Sequence, residues 1–180
     1  MPNITGFLFL LLLLATEGSL GNSKNEVSHG SSQNVVGRPL GNSLNAWKYC
    51  QLGWSTYERR CFRFFKTALQ WIYAEAECLR YGGNLASVHS ANEYAFLKKL
   101  IHQGAGSAVK TWIGGHDAVK EGIWLWSDGS YMNFRAWNSG DNQPDNYKKN
   151  EHCLEMNHGA VQLWNDSPCY ELKPFICVKK

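Results

Sequence analysis

Six cysteines set the tightest limit on what this 180-residue chain can fold into: Cys50, Cys61, Cys78, Cys153, Cys169 and Cys177. Upstream of them, Ile4 to Ala15 (ITGFLFLLLLLA) is an apolar run near the N-terminus, followed by small and polar residues from Thr16 to Gly21. The run is too short to span a bilayer comfortably and reads as the core of a signal peptide, residues 1–18, with cleavage near Gly18 or Gly21. No second apolar stretch follows, so the mature chain is expected to be secreted and extracellular, with no membrane insertion. Export places the cysteines in an oxidising compartment, where an even number in a small domain implies three disulfides and no leftover thiol. Spacing alone leaves the pairing open. There is no CxxC, which argues against a structural zinc site or a redox pair.

Residues 19–46 are rich in Gly, Ser and Asn without periodic apolar positions, and read as a disordered linker or propeptide. The rest, 47–180, suits one domain with a real core, for which eight tryptophans are available. A net charge of +3 is mild and scattered apart from the pairs Lys148-Lys149 and Lys179-Lys180, so no nucleic-acid footprint is present. Cys61 to Phe65 is short and aromatic, hence a strand. Thr67 with Gln70 has a capping-box spacing ahead of Trp71, Ala74, Cys78 and Leu79, which predicts a helix closed by Gly82 and Gly83. Ser90 with Glu93 predicts a second helix, whose buried stripe is Tyr94, Leu97 and Ile101 and which ends within Gly104 to Ser107.

Beyond that point the pattern changes. Thr111–Gly114, Ile123–Trp126, Cys153–Met156, Val161–Trp164 and Phe175–Val178 are short apolar or aromatic runs between turn residues, which predicts antiparallel strands. The sum is an α+β domain of two helices with antiparallel sheets. Ser127 to Glu151 is left as a long polar loop, and long ordered loops are often functional. It contains Gln143-Pro144-Asp145 and ends at Glu151; Trp164-Asn165-Asp166 follows the next strand. Gln143, Asp145, Glu151, Asn165 and Asp166 together offer five oxygen-bearing side chains, two of them neutral amides. Calcium takes six to eight oxygens of mixed type, and the lack of imidazole or thiolate disfavours zinc and copper. A cis bond before Pro144 would turn Gln143 and Asp145 toward one point. The same residue types also make ordinary surface turns, and taken alone they leave both readings open.

The order of several motifs goes further. Trp112-Ile113-Gly114-Gly115, Trp124-Leu125-Trp126, Gln143-Pro144-Asp145, Glu151-His152-Cys153, Trp164-Asn165-Asp166 and the six cysteines occur in the sequence of the C-type lectins, the calcium-dependent animal lectins, which the chain resembles over about residues 47 to 180. The resemblance implies the pairing Cys50–Cys61, Cys78–Cys177 and Cys153–Cys169, the first marking the long form of the domain. It implies that Gln143, Asp145, Glu151, Asn165 and Asp166 hold one Ca2+ and at the same time bind two neighbouring sugar hydroxyls. The order Gln-Pro-Asp resembles galactose-type members, whereas Glu-Pro-Asn marks the mannose type. Tyr147 stands where a stacking aromatic for galactose is expected, and is equally well placed to be a plain surface residue. Carbohydrate is therefore the expected partner, in innate recognition of microbial glycans, and a non-covalent homo-oligomer would add avidity.

The chain also departs from the pattern. A second, structural calcium site common in the family is matched at Asp117 and Glu121 but not at Asn146 and His152, so it is expected to be empty. The glycine-rich stretch that usually follows the aromatic of galactose binders is missing. The run Asn84 to Ser90 and Trp112-Ile113-Gly114-Gly115 also resemble the type II antifreeze proteins, some of which turn the same calcium site on ice; by family pattern those carry more than six cysteines, which favours the lectin. Venom-type relatives that bind proteins usually lose the calcium ligands or add an interchain cysteine. No HExxH or GxSxG motif is present, no enzyme is expected, and Trp112, Trp124, Trp126 and Trp164 read as core. Asn165-Asp166-Ser167 is formally a glycosylation sequon, but Pro168 follows it and no modification is expected.

Overall fold

The computed structural model describes residues 50–180, so the expected leader, the linker and the start of the domain at Trp47 lie outside the described residues. Strand β1 (Ser55–Tyr57) turns back onto the long β2 (Arg60–Leu69), which leads into helix α1 (Trp71–Arg80). The short β3 (Asn84–Leu85), helix α2 (Ala91–Ala105) and β4 (Thr111–His116) follow. The second half holds β5 (Leu125–Trp126), β6 (Cys153–His158), β7 (Leu163–Ser167) and β8 (Lys173–Lys179). The strands order as β1-β2-β8-β4-β6-β7, with β3 on β8 and β5 on β4. The α+β class with two helices stands, but the sheet is mixed: β4 and β8 run parallel at Trp112 and Phe175. Periodicity reports which face a strand buries and is blind to the direction of its neighbour.

The two helix starts differ from one another. Ser90 Oγ accepts from the Glu93 N–H at 3.1 Å, as its capping spacing predicts. Glu93 Oε2 reaches back to the N–H of His89 at 2.8 Å, one residue before the cap. The Thr67–Gln70 expectation is corrected: Thr67 lies inside β2, and Gln70 is the N-cap without a side-chain bond. The first orphan donor of α1, Trp71 N–H, is instead bonded by Cys169 O at 3.0 Å. A tertiary contact does what the cap was expected to do, and β2 is free to continue to Leu69, opposite Lys173.

The core lies on both sides of β4 and β8. Phe62, Leu97, Ile101, Ile113, Leu154, Met156, Ile176 and Trp164 fill one side. Trp112, Ala74, Leu85 and Phe175 fill the other, around the disulfides. All four tryptophans assigned to the core are buried. The expected pairs Cys50–Cys61, Cys78–Cys177 and Cys153–Cys169 are formed. Cys78–Cys177 closes a separation of 99 residues, worth about 4 to 5 kcal/mol in the chain-entropy account. The two glycines of Trp112-Ile113-Gly114-Gly115 are explained by close approach. A Cβ at Gly114 would lie 2.7 Å from Leu85 O, and one at Gly115 would lie 2.6 Å from Leu154 Cδ1.

Candidate metal and ligand site

Trp164 places the site. Its ring packs edge-on against Tyr94, Trp126, Phe134 and Trp137 at centroid distances of 6.1, 5.7, 5.7 and 5.6 Å. Such contacts add about 0.5–1.5 kcal/mol each beyond burial. The next two residues, Asn165 and Asp166, are therefore carried on a strand whose position the core fixes. Facing them is the loop between β5 and β6, which has one-turn 3-10 segments at Ser139–Asp141 and Tyr147–Lys149. Asn138 N–H donates to Trp164 O at 2.9 Å and Trp164 N–H to Ala136 O at 2.7 Å, which fastens the start of the loop to β7. The Gln143-Pro144 bond is cis, in line with the sequence reading.

Five oxygen-bearing residues were expected here, and three carboxylates converge. Asp145, Glu151 and Asp166 each offer an oxygen within 4.8 Å of the others. Asp166 is 1% exposed, and its two oxygens accept from Asp145 N–H at 3.2 Å and Asn146 N–H at 2.7 Å. Glu151 Oε2 accepts from Tyr147 N–H at 2.9 Å. Gln143 Oε1 is buried and has no hydrogen-bond partner, an acceptor without a donor in its surroundings. Asn165 is held through its amide nitrogen, which donates to Glu155 Oε1 at 3.0 Å and to the Asp166 carbonyl. Tyr147 is 62% exposed, with Lys148 Nζ 5.2 Å from its ring centroid.

The electrostatics are those of anions lacking a counter-charge. Burial, with Asp166 and Asp145 nearby, pushes the Glu151 carboxyl up to about 7, against the lowering effect of the Tyr147 N–H. Burial also raises Asp166, although backbone N–H groups pull the other way. A divalent cation would relieve both effects, and Gln143 Oε1 would gain a partner. An all-oxygen donor set of this kind fits calcium.

Two contributors are not assigned to this site by the sequence reading, which names Asn146 only for the second calcium pattern and Glu155 not at all. Glu155 is fully buried, accepts from Asn165, and is ion-paired to Lys173 at 2.9 Å and Lys110 at 3.1 Å. It was read as one residue of an apolar strand; a lone carboxylate inside such a run was the available signal. Asn146 ties the loop together at the site, donating its N–H to the Asp166 carboxylate and accepting the backbone N–H of Glu151 on its Oδ1 at 3.0 Å.

Comparison with known proteins gives three concordant results. The family model described as "Lectin C-type domain" matches residues 67–179. The chain is 40% identical over 179 residues to the galactose-specific lectin nattectin of Thalassophryne nattereri, covering 99% of this chain and 97% of that protein. It is 38% identical over 130 residues to a type-2 ice-structuring protein of Osmerus mordax, covering 72% of this chain and 71% of that one. Among solved structures, a herring type II antifreeze protein superposes with a TM-score of 0.66 at 37% identity, covering 72% of this chain and 98% of that chain. The lectin CEL-I from Cucumaria echinata superposes with a TM-score of 0.68 at 31% identity, covering 72% of this chain and 96% of that chain.

Proposed function

The chain belongs to the C-type lectin domain family, and from that premise we propose that it is a secreted, calcium-dependent carbohydrate-binding protein that takes galactose-type glycans. The observation that carries the reading is the convergence of Asp145, Glu151 and Asp166, with Gln143 Oε1, two residues before Asp145, buried and unpartnered. Calcium would be held by Gln143, Asp145, Glu151, Asn165 and Asp166, and would supply a charge on which sugar hydroxyl oxygens can rest. The chain's own groups would do the reading. A hydroxyl both donates and accepts, so a carboxylate can take its proton bond while an amide NH2 gives one to its oxygen. Gln143 and Asp145 differ in that respect, and their order would select the geometry of the hydroxyl pair. Tyr147 is exposed beside them and could cover the apolar face of the sugar.

Nothing in the reading requires bond making, and we assign the protein as a binding module rather than an enzyme. Its setting would be extracellular recognition of glycans, including microbial ones. All six cysteines pair within the chain, so any assembly for avidity would be non-covalent. No helix among the described residues is long and apolar enough to cross a membrane. The experiment is a glycan array run with calcium and with a chelator. Binding to galactose-terminated glycans that the chelator abolishes is the expected result, and chelator-insensitive binding would remove calcium from the account. A second reading, ice binding, has support in the similarity to type-2 ice-structuring proteins. Ice-growth inhibition in the absence of any glycan signal would put that reading first.

A further inference from the structure

A second group of potential metal ligands lies beside the first and differs from it in kind. Asp117 follows β4, is 1% exposed, and accepts from Gly122 N–H through Oδ2 at 2.8 Å. Its own N–H donates to His152 O at 3.2 Å, so the two residues are tied through the backbone as well. His152 Nδ1 sits 3.0 Å from Asp117 Oδ1 and 3.6 Å from Glu121 Oε2. The family resemblance implies no calcium at this place, because His152 and Asn146 stand where carboxylates are needed. The same substitution supplies a nitrogen.

We propose that Asp117 Oδ1, Glu121 Oε2 and His152 Nδ1 form a second metal site, selective for a divalent cation that accepts nitrogen ligands, with zinc as its ion. Donor chemistry is the first support. Imidazole suits zinc and its neighbours in the transition series, whereas calcium takes oxygens. Spacing is the second. Zinc bonds of about 2.0–2.1 Å in a tetrahedron put neighbouring ligand atoms about 3.3 Å apart, close to the 3.0 and 3.6 Å found at His152. The three ligand atoms lie within 4.8 Å of one another. Two carboxylates balance the dication, and three protein ligands leave a fourth position for water. The ion takes the place of the Nδ1 proton that links His152 to Asp117 in the metal-free form.

Gly122 N–H holds the other Asp117 oxygen, whereas Asn146 Nδ2 donates to Glu121 Oε2 itself, a bond that the ion displaces when it binds. His152 and Glu121 remain partly open to solvent, which gives an ion a way in. His158 makes an instructive contrast. Its Nδ1 faces Glu155 Oε1 at 3.2 Å while its Nε2 faces Asp141 Oδ2 at 3.5 Å. Two opposed ring nitrogens bridge two carboxylates and cannot converge on one ion.

The test is a calorimetric titration of the full chain with zinc chloride in the presence of saturating calcium. One zinc per chain is expected. His152→Gln and, separately, Glu121→Gln should each weaken zinc binding at least tenfold, while His158→Gln leaves it unchanged. Calcium titrations of the same variants report whether the fold and the first site survive, which keeps the outcome separate from that of the proposed sugar site. No stoichiometric zinc in the unmodified chain, or equal zinc affinity after His152→Gln in a variant that still takes calcium, would overturn the proposal.

Discussion

Asn146 N–H donates to Asp166 Oδ2 at 2.7 Å, so a residue of the long loop hangs from a carboxylate of β7. Asp145 N–H takes the other oxygen of the same side chain at 3.2 Å. Asp166 thus shapes the loop as well as offering charge to a cation. Asp166→Asn leaves one acceptor where there were two and removes the charge. Hydrogen bonds to charged groups are worth about 1.5–3 kcal/mol, so calcium affinity should fall by about tenfold or more. Calorimetry would measure it, and an unchanged calcium affinity would take Asp166 out of the ligand set.

The order of amide and carboxylate across Pro144 gives a second expectation. Gln143→Glu with Asp145→Asn keeps total charge and size, so calcium should still bind. What reverses is the direction of donors and acceptors facing the hydroxyl pair. The double variant should lose galactose and gain mannose, with a swing of about tenfold, since about 1.4 kcal/mol is tenfold in affinity. Competition binding with the two free sugars measures it. The same preference in a calcium-bound double variant would show that specificity is set elsewhere.

Acid should act earlier than ordinary carboxylates suggest. The Glu151 carboxyl is pushed from its usual 4.5 up to about 7 by burial, with Asp166 and Asp145 adding to the shift. With Glu151 in the proposed ligand set, protons should compete with calcium already near neutrality, and apparent calcium affinity should fall by up to about tenfold per pH unit below about pH 7. The metal-free fold should respond in the opposite sense. A raised carboxyl favours the folded state below its unfolded value, and that advantage is lost as pH rises through about 7. Thermal melts in chelator should show stability declining across that window, and calcium should reverse the decline. Calcium affinity that is flat between about pH 5 and 8 would contradict the assignment of Glu151.

Lys173 supplies a test away from the loop. Its Nζ is 2.9 Å from the fully buried Glu155 carboxylate, 2.6 Å from Ser167 Oγ and 3.8 Å from the centre of the Trp112 ring. Breaking a buried pair from one side typically costs about 3–5 kcal/mol. Lys110, 3.1 Å from Glu155 and half exposed, should absorb part of the loss. Lys173→Met is expected near the lower end of that range, read from the denaturant midpoint. A change below about 0.5 kcal/mol, typical of surface positions, would mean that the pair does not carry the charge of Glu155.

Much of this architecture is legible in the sequence, and the exceptions share a cause. Ser90 and Glu93 announced α2 because a cap acts within a few residues. Thr67 and Gln70 announced a start that does not occur, because β2 pairs with β8 through Leu69 and Lys173, partners distant in sequence. The strand expected over Val161–Trp164 runs instead over Leu163–Ser167. Asn165, Asp166 and Ser167 are polar yet buried, and an apolar pattern stops short of them. The five oxygen-bearing side chains of the proposed site are singled out by their chemistry and by family resemblance. Glu155, which holds the Asn165 amide, is not, since its partners Lys110 and Lys173 gather only in the fold.

The position of Trp164 has one further consequence. Because the ring is wedged among Tyr94, Trp126, Phe134 and Trp137, the backbone that carries Asn165 and Asp166 is held in place by the core. Gln143, Asp145 and Tyr147 sit on an exposed loop with no such obligation. The socket is thus half cast into the frame and half mounted on an exchangeable insert. With calcium held as proposed, new preferences can be tried at the insert without moving the frame, so changes of ligand should cluster in the loop and leave Trp164-Asn165-Asp166 alone.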